Sequence, residues 1–571
     1  MNKINTRYIP IFLLIIFISF LNVVTNSEKQ ATLITFSFLI FLLGFFKYFF
    51  VEEKKESLIY FKLKNLNNFL NIAFLLTLTI LTQNKYLNIE TITWDVHSYL
   101  VAAQEINYGF IPLETQWESK GPLLLYLYNF FSIASNKNYI VFRLVNDLIL
   151  FISVLFLYLT VFKSTGDKVK AFLSSLLFIL ITSYVWFVSE FSEIYCLAIL
   201  SIIYYLFNTY EHTNKLLLSI GFLFGVSTLI NQGTVIFLIP YLIVLFNEYK
   251  NNNLIKNTFY FSSGFLFPHL IFITIYLLNG MFDVYFSQYY YMPLAYIEAN
   301  ESSLYELKVV MRRFFKYDLY LYISIFSILV FSFQAFYKQI ILKKFMILND
   351  LAYLNLLAAL AFYFIAGHNY YHHLFYVIFF FSTMIVNIDL ASQKNLIIVL
   401  LFCSLISVGF KTFQDSTDNL MNLNEVYENY PLRQLSQDID NNFKNDQYDI
   451  LAMDYVLILY YLDKPNFSYI VHPSNHYEEF IVSELLRLER IETNEFNHVS
   501  KMIEDEPEVI ICSGKMIIKG VPQNIDFYNC AIDDYKKNYK KIETKNLKEN
   551  QNLDYYSDPF KEINVYIKQN N

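Results

Sequence analysis

The sequence predicts a polytopic α-helical membrane protein, with about 13 transmembrane helices followed by a small C-terminal extracytoplasmic α/β domain. The 571 residues are 55% hydrophobic and only 16% charged, whereas soluble domains carry about 25% charged residues. Apolar segments long enough to cross a bilayer recur as far as residue 411. Residues 412–571, called the tail below, hold 44 of the 93 charged residues, which is typical of a soluble domain.

Thirteen apolar segments are predicted to cross the membrane. They are 9–24, 31–50, 67–83, 141–162, 171–188, 194–209, 216–230, 234–248, 258–278, 318–337, 350–366, 374–388 and 396–411. The short neighbouring pair 216–230 and 234–248 can be removed or merged without changing the sidedness of later loops. The predicted organisation is two helices and their loop in 1–66, a main transmembrane region in 67–411, and the tail in 412–571.

The distribution of lysine and arginine predicts the orientation. With a cytoplasmic N-terminus, the inner loops hold 16 basic residues in about 66 positions, and the outer loops hold 8 in about 117. Thirteen crossings then place the tail outside, together with two long outer loops, 84–140 and 279–317. Within the first of these, the apolar segment 121–134 is too short to span comfortably and is predicted to be a helix lying in the interface.

The tail alternates strand-like and helix-like segments. Strands are predicted at 449–454, 468–473 and 508–512, and helices at 478–491 and 497–506, which indicates a small layered sheet. No glycine-rich phosphate loop opens these helices, so no nucleotide is predicted. Two of the four cysteines, Cys512 and Cys530, lie in the tail and could pair outside the cytoplasm.

Charge excludes some classes of function. The tail carries 16 basic and 28 acidic residues, and the sequence pI is about 5.8, so no nucleic-acid partner is expected. The predicted spans are nearly free of the ionisable groups that a solute pathway would need. Polar residues gather instead in the first outer loop, which favours a reaction at the outer membrane surface.

The most informative residues lie in 93–122. Thr93 is placed to cap a helix whose first turn contains Asp95 and which presents Tyr99 one turn later. Asp95 either favours the helix N-terminus by its charge or acts as a general base at the water–lipid boundary. Lys120 is either an interfacial anchor or a phosphate ligand.

Together these features resemble the first-loop pattern of the GT-C membrane glycosyltransferases of the protein-mannosyltransferase and aminoarabinose-transferase type. That pattern in bacterial members is an aspartate, often Asp-Glu, then Gly-x-x-Pro, then Lys-Pro-Pro-Leu. The matching residues are Asp95 to Tyr99, Gly109, Pro112 and Lys120-Gly121-Pro122. Val96 and Gly121 depart from it, standing where many members have glutamate and proline.

The resemblance extends over about 70–390. Arg143 resembles the arginine of an arginine-leucine element, and Glu190 and Glu193 resemble a carboxylate at the outer end of the fifth span. His373 resembles the histidine of a late Arg-x-x-x-His-Tyr element, although Asn369 stands where the arginine would be.

The resemblance implies transfer of a monosaccharide from a polyprenyl-phosphate-linked donor to an extracytoplasmic acceptor, in the bacterial plasma membrane. Asp95 would take the proton of the acceptor hydroxyl, and Lys120 and Arg143 would stabilise the leaving phosphate. Tyr99, Glu193 and His373 are the other substrate-binding candidates within this likeness. One base and one displacement imply inversion at the anomeric carbon, with no cofactor, and with donor, acceptor and membrane lipids as partners.

The second outer loop adds Arg312 and Arg313, which precede a span. They belong either to an aromatic and basic interfacial belt or to a contact with the carrier phosphate or an anionic acceptor. Residues 289–291 are three tyrosines that could stack on sugar rings.

Two alternatives concern particular side chains. Asp147 could pair with Arg143 at i, i+4 and make that arginine structural. His97, His368, His372 and His373 could form a metal site with Asp95, but their spacing matches no ligand motif, so no metal is predicted.

Three alternatives concern the whole function. An envelope-polysaccharide polymerase would also have many spans and long outer loops. A lipid-linked sugar flippase or transporter would not need Asp95, and a membrane scaffold would depend on the tail alone.

Overall fold

The computed structural model describes residues 58–188, 190–249, 253–299, 304–341, 350–365, 370–387, 390–443, 448–492, 502, 505–513, 538–542 and 563–569. Outside the described residues lie the predicted spans 9–24 and 31–50, most of the predicted helix 497–506, His368, Asn369 and Cys530.

Helices make up most of the described chain. The α-helices are α1 (Leu58–Gln83), α2 (Trp94–Gln104), α3 (Pro122–Ala134), α4 (Tyr139–Thr165), α5 (Lys168–Thr182), α6 (Ser192–Thr209), α7 (Asn214–Ile230), α8 (Leu238–Tyr249), α9 (Leu254–Leu278), α10 (Phe282–Phe286), α11 (Met292–Ala299), α12 (Tyr305–Tyr317), α13 (Leu319–Ile341), α14 (Leu351–Ile365), α15 (Leu374–Thr383), α16 (Leu390–Met421), α17 (Leu423–Glu428), α18 (Pro431–Asp440), α19 (Leu457–Leu462) and α20 (Glu479–Arg487). Short 3-10 turns occupy Asn84–Tyr86, Glu105–Tyr108, Val185–Phe187, Gln232–Phe237, Tyr371–His373, Met384–Asn387 and Pro473–Tyr477, and Ser287–Tyr291 forms a π-helical turn.

Every predicted span from 67–83 onward overlaps one of these helices. Within the described ranges, four helical stretches are long and apolar enough to cross a membrane: Tyr139–Thr165, Ser192–Thr209, Gln232–Tyr249 and Leu254–Leu278. The predicted span 171–188 is divided by the 3-10 turn Val185–Phe187. The chain is an integral membrane protein, and the number of its crossings stays a prediction.

Helices α7 and α9 pack along a seam of small residues. A Cβ atom on Gly221 would lie 2.0 Å from the carbonyl oxygen of Phe261, and one on Gly264 would lie 2.1 Å from that of Leu218. Backbone contact at glycine is typical of membrane helices, whose association depends on close packing rather than on a hydrophobic force. The seam holds α7 closely against α9, and the residues that follow α7, Asn231 and Gln232, line the candidate site.

The described part of the tail contains a four-stranded mixed sheet of order β1-β2-β4-β3. The strands are β1 (Ile450–Ala452), β2 (Val509–Ser513), β3 (Tyr539–Lys541) and β4 (Ile563–Lys568). Strands β1 and β2 are parallel, and β4 runs antiparallel to β2 and to β3. Predicted strands 449–454 and 508–512 correspond to β1 and β2, and predicted helix 478–491 corresponds to the shorter α20. Cys512, in β2, is disulfide-bonded.

The third predicted tail strand, 468–473, does not join this sheet. Ile470 forms an isolated parallel bridge with Trp117 of the first outer loop. The Trp117 N–H donates to the Tyr469 carbonyl at 2.6 Å, and the Val471 N–H donates to the Trp117 carbonyl at 3.3 Å. The strand-like pattern was therefore correct about an extended backbone and wrong about its partner. This bridge seats the tail on the first outer loop.

The predicted boundary at 411–412 falls inside a helix, because α16 continues to Met421. Beyond it, the buried carboxylate of Glu90 accepts hydrogen bonds from the N–H groups of Leu432 (2.7 Å) and Arg433 (3.1 Å). An anion at a helix N-terminus satisfies otherwise unpaired N–H groups. Burial raises the pKa of Glu90 to about 8, although these hydrogen bonds lower it. Glu90 thus ties the start of α18 to the first outer loop.

Candidate active site

A cavity of about 210 Å³ lies where the two long outer loops and the tail meet. Its lining includes Asp95, Tyr99, Trp117, Glu118, Ser119 and Lys120 of the first outer loop, Met292, Pro293 and Tyr296 of the second, Asn231, Gln232, His372 and His373 at helix ends, and His472, Ser474, Asn475, Glu478 and Phe480 of the tail. Five separate stretches of the chain thus line one cavity.

Asp95 lies in the first turn of α2, as the sequence predicts. Thr93 precedes this helix with extended backbone angles, but its hydroxyl does not cap it. The Asp95 side chain is 29% exposed, and its Oδ1 lies 2.9 Å from Nε2 of His472. Burial raises the pKa of Asp95, but the hydrogen bond and charge of His472, with His372 and Lys120, outweigh it and hold the pKa well below its usual range. Asp95 is therefore ionised throughout the physiological pH range.

The backbone around Lys120 is held by hydrogen bonds from Gln288 and by close contact between Gly121 and the end of α7. Gln288, in the π-helical turn, donates to the carbonyl of Glu118 at 3.1 Å and to that of Lys120. The Gly121 N–H donates to the Ile230 carbonyl at 3.2 Å. A Cβ atom on Gly121 would lie 2.0 Å from the Leu229 carbonyl oxygen, so only glycine fits there. The lysine is thus presented from a fixed backbone.

The Lys120 ammonium lies 3.8 Å from Oε1 of Glu193, which is buried at the start of α6. The same oxygen accepts from Asn231 at 3.0 Å, and Oε2 accepts from the Ser192 hydroxyl at 3.1 Å. Glu193 is thus a fixed carboxylate beside Lys120.

Glu193, His372 and His373 are buried, and their ligand atoms lie within 4.8 Å of one another. Such a carboxylate and two imidazoles could hold a divalent transition metal. Lys120 faces the same carboxylate, however, and an ammonium group competes with a metal for it. The sequence-based prediction that no metal binds stays a prediction.

Two glutamates that the sequence analysis did not single out shape the first outer loop. Glu105 accepts from the N–H groups of Leu113 (2.6 Å), Thr115 (2.7 Å) and Gln116 (3.1 Å). Burial raises the pKa of Glu105 to about 7, against the lowering effect of these bonds. Glu118 lines the cavity, and burial raises the pKa of its carboxyl.

The structure brings Asp95, Tyr99, Lys120 and His373 into one cavity, with Glu193 against Lys120. Their association was expected from the likeness of the first loop rather than from any contact visible in the sequence.

Arg143 lies elsewhere. It is 3% exposed, contacts Glu190 at 3.2 Å, and donates to the carbonyls of Leu87 and Ile89 and to the Tyr430 hydroxyl. The predicted partner Asp147 instead accepts from Asn84. Arg143 thus holds the backbone of the loop before α2 in place. It is not among the described residues that line the cavity, so this structure does not bring it to the proposed phosphate site.

Arg312 and Arg313 lie on α12, outside the described cavity lining. Both are exposed, and the Arg313 guanidinium sits over the Trp186 ring, 4.5 Å from its centroid. Nearby in sequence, Tyr289 is buried and donates to the Thr228 carbonyl at 2.8 Å, whereas Tyr290 and Tyr291 are exposed. None of these five residues is among the described residues that line the cavity.

His472, Ser474 and Gln288 belong to the site or support it, and the sequence analysis missed them. His472 lies 377 residues from its partner Asp95. The one available signal was a strand-like segment with a histidine next to its last residue, SYIVHP, in a tail predicted to share the outer side with Asp95.

Known proteins resemble this chain in its fold and, over part of its length, in its sequence. Residues 119–277 match the family model of dolichyl-phosphate-mannose-protein mannosyltransferases. The structure resembles the crystal structure of ArnT from Cupriavidus metallidurans bound to undecaprenyl phosphate, with a TM-score of 0.57 and 11% identity, covering 87% of this chain and 97% of that chain. The crystal structure of ArnT from the same organism in the apo state has a TM-score of 0.54 and 10% sequence identity, covering 78% of this chain and 92% of that chain. No curated protein matches the sequence.

Proposed function

We propose that this chain, a membrane glycosyltransferase of the GT-C superfamily by its family match and its fold, transfers a monosaccharide from a polyprenyl-phosphate-linked donor to an extracytoplasmic acceptor. The observation that carries the proposal is the presence of Asp95 and Lys120 in one cavity formed by the outer loops and the tail. A carboxylate and an ammonium group supply the two things that such a transfer needs, a proton acceptor and a phosphate ligand.

The donor phosphate is assigned to the Lys120 side of the cavity. Lys120 is the one lysine or arginine among the described lining residues, and it lies beside Glu193. The ArnT structure contains undecaprenyl phosphate, and by analogy a polyprenyl phosphate is the carrier proposed here. Lys120 would leave Glu193 for the phosphate oxygens, whose charge grows as the sugar departs.

Asp95 is assigned as the general base. The acceptor oxygen forms a bond to the anomeric carbon while the bond from that carbon to the phosphate oxygen breaks, and the phosphate keeps the electron pair. The acceptor proton passes to Asp95. Because its pKa is low, Asp95 takes this proton only once the new C–O bond is largely formed and the hydroxyl has become acidic. A single displacement inverts the configuration of the anomeric carbon.

The orientation in the bacterial plasma membrane also belongs to the proposal: a cytoplasmic N-terminus, and outer loops and tail outside. The disulfide at Cys512 supports it, because disulfides persist in oxidising compartments and are rare in the cytosol.

The test is mass spectrometry of the purified protein in membranes supplied with a mixed pool of polyprenyl-phosphate sugars and native acceptors. We expect one carrier species to be consumed with release of polyprenyl phosphate, and Asp95→Asn to slow this by about 10²–10⁴-fold. Asp463→Asn, on the exposed rim of the tail, is the matched control.

The alternatives predict different products. A polymerase would add repeating units rather than one sugar, and a transporter would carry a labelled donor across the bilayer intact. Full transfer activity in a normally folded Asp95→Asn protein would remove Asp95 from the mechanism.

A further inference from the structure

The contact between Asp95 and His472 joins the membrane region to the tail inside the cavity. His472 is 8% exposed and follows the extended segment that pairs with Trp117. Its Nε2 lies 2.9 Å from Asp95 Oδ1, and the Trp94 ring stands edge-on to its imidazole with centroids 6.5 Å apart. A tail residue therefore contacts the proposed base directly.

The other side of the imidazole is also fixed. The Ser474 N–H donates to Nδ1 of His472 at 3.3 Å, and the Ser474 hydroxyl lies 2.9 Å from the same nitrogen. Since Nδ1 accepts from a backbone N–H, the proton of the neutral ring is on Nε2, where it is donated to Asp95. The chain Ser474–His472–Asp95 thus fixes both the tautomer of the histidine and the position of the carboxylate.

We infer that His472 is the positioning residue of the transfer reaction: it binds Oδ1 of Asp95 and leaves Oδ2 to take the acceptor proton. Within the described part of the chain, Oδ2 has no hydrogen-bond donor. This inference rests on the proposed function of Asp95 and assigns the tail a role in that same site. The tail completes the active site, and membrane helices alone do not contain all of it.

Hydrogen bonds between the tail and the first outer loop fix the position of His472 relative to Lys120. Ile470, two residues before His472, is fixed to Trp117, three residues before Lys120. Gln116 donates to the carbonyls of Asn466 (3.0 Å) and Ser468 (3.3 Å) and accepts from the Asn466 N–H (2.9 Å). The same short segment of the first loop therefore sets the positions of His472 and Lys120.

The charge state of His472 gives a readout that a purely structural role would not give. Asp95, Glu118 and Glu478 face His472, and Lys120 and His372 face Asp95. Burial lowers the pKa of His472, but its hydrogen bond to Asp95 and these anions raise it above its usual value. Protonation makes Nδ1 a donor toward the Ser474 N–H and adds a positive charge beside Asp95. The transfer rate is therefore expected to fall as pH decreases through this raised pKa.

The experiment compares wild type with His472→Ala and His472→Gln in the full-length protein, using the consumed carrier species as substrate. We expect His472→Ala to lower kcat by about 10²-fold, because misplacing a reacting group by about 1 Å has that effect, with the donor KM within about twofold. His472→Gln should recover most of kcat, because its amide N–H can donate to Asp95, and should lose the acid limb of the pH profile.

Asp463→Asn serves here as a tail-seating control, since Asp463 bonds Gln104, Tyr108 and Lys137 without reaching the cavity. It should keep the wild-type pH profile. The inference would be overturned if His472→Ala kept the wild-type kcat, or if His472→Gln kept the acid limb of the pH profile. In either case an inactive Asp95→Asn protein would still support the role of Asp95 as the base. Transfer that is equally insensitive to Asp95→Asn would instead remove the proposed function.

Discussion

At the scale of single residues, the site is an arrangement of charges whose pairing the sequence does not reveal. Asp95 and Lys120 could be singled out because a carboxylate and a lysine flank one outer loop in a familiar pattern. Glu193 could be named, but not its contact with Lys120. For His472 the local signal was a strand-like segment that contains it, and nothing local indicated its contact with Asp95, 377 positions away. Contacts of this length depend on how the tail is seated, which no local pattern encodes.

Lys120→Ala should weaken both donor binding and catalysis. A charge-assisted hydrogen bond to phosphate contributes about 1.5–3 kcal/mol, so kcat/KM for the donor should fall by about 10–100-fold. The fall should appear in kcat as well as KM, because the phosphate gains charge in the transition state. Steady-state kinetics with the consumed carrier measure both.

The control for that substitution is Lys137→Ala, another lysine of the same loop, which pairs with Asp463 on the exposed rim. Exposed pairs contribute about 0–1 kcal/mol, so its kinetics should match wild type. Equal kinetics for Lys120→Ala and wild type would remove the lysine from the phosphate site.

At the scale of elements, hydropathy located the helices well because a bilayer requires long apolar segments with internally satisfied backbones. It could not locate the interruptions. The 3-10 turn Val185–Phe187 consists of apolar and aromatic residues like those of the neighbouring helices, and the π-helical turn Ser287–Tyr291 contains no glycine or proline that would mark it. The π-helical turn matters most for the site, because it directs Gln288 to the backbone of Lys120.

Gly121→Ala should displace the Lys120 backbone. Its Cβ atom would lie 2.0 Å from the Leu229 carbonyl oxygen in α7, and two backbones would have to move apart. We expect a destabilisation of about 1–3 kcal/mol and a kcat reduced by about 10²-fold. Thermal unfolding and donor kinetics of the same preparation separate the two effects.

Gly166→Ala is a suitable comparison, since this glycine has a φ of 67° at the end of α4 and open space around it. The left-handed backbone costs alanine about 1–2 kcal/mol, without any contact to the cavity. It should lower stability and leave kcat unchanged. If Gly121→Ala behaved in the same way, the lysine backbone would not need this close approach.

At the scale of the whole molecule, composition predicts a division into a membrane region and a soluble tail, and this division stays a prediction. Charge density separates the two parts because lipid and water select different side chains. It says nothing about their contact, which buries extended backbone from both. The segment 468–473 shows the limit: its alternation predicts a strand, and its strand partner is Trp117 of the first outer loop rather than the tail sheet.

The seating of the tail should therefore control activity from a residue outside the cavity. Gln116 is 3% exposed and makes three hydrogen bonds to the backbone of Asn466 and Ser468. Gln116→Ala would leave these buried groups unpaired, at about 1–3 kcal/mol each. We expect faster hydrogen exchange across 448–492, and a loss of kcat similar to that of His472→Ala, because His472 would no longer be fixed against Asp95. The control is Lys137→Ala, which removes only an exposed contact of the same interface. It should change neither the hydrogen exchange across 448–492 nor kcat. Faster exchange with full activity would show that tail and membrane region work independently, whereas loss of both together would make tail docking a requirement for an assembled active site.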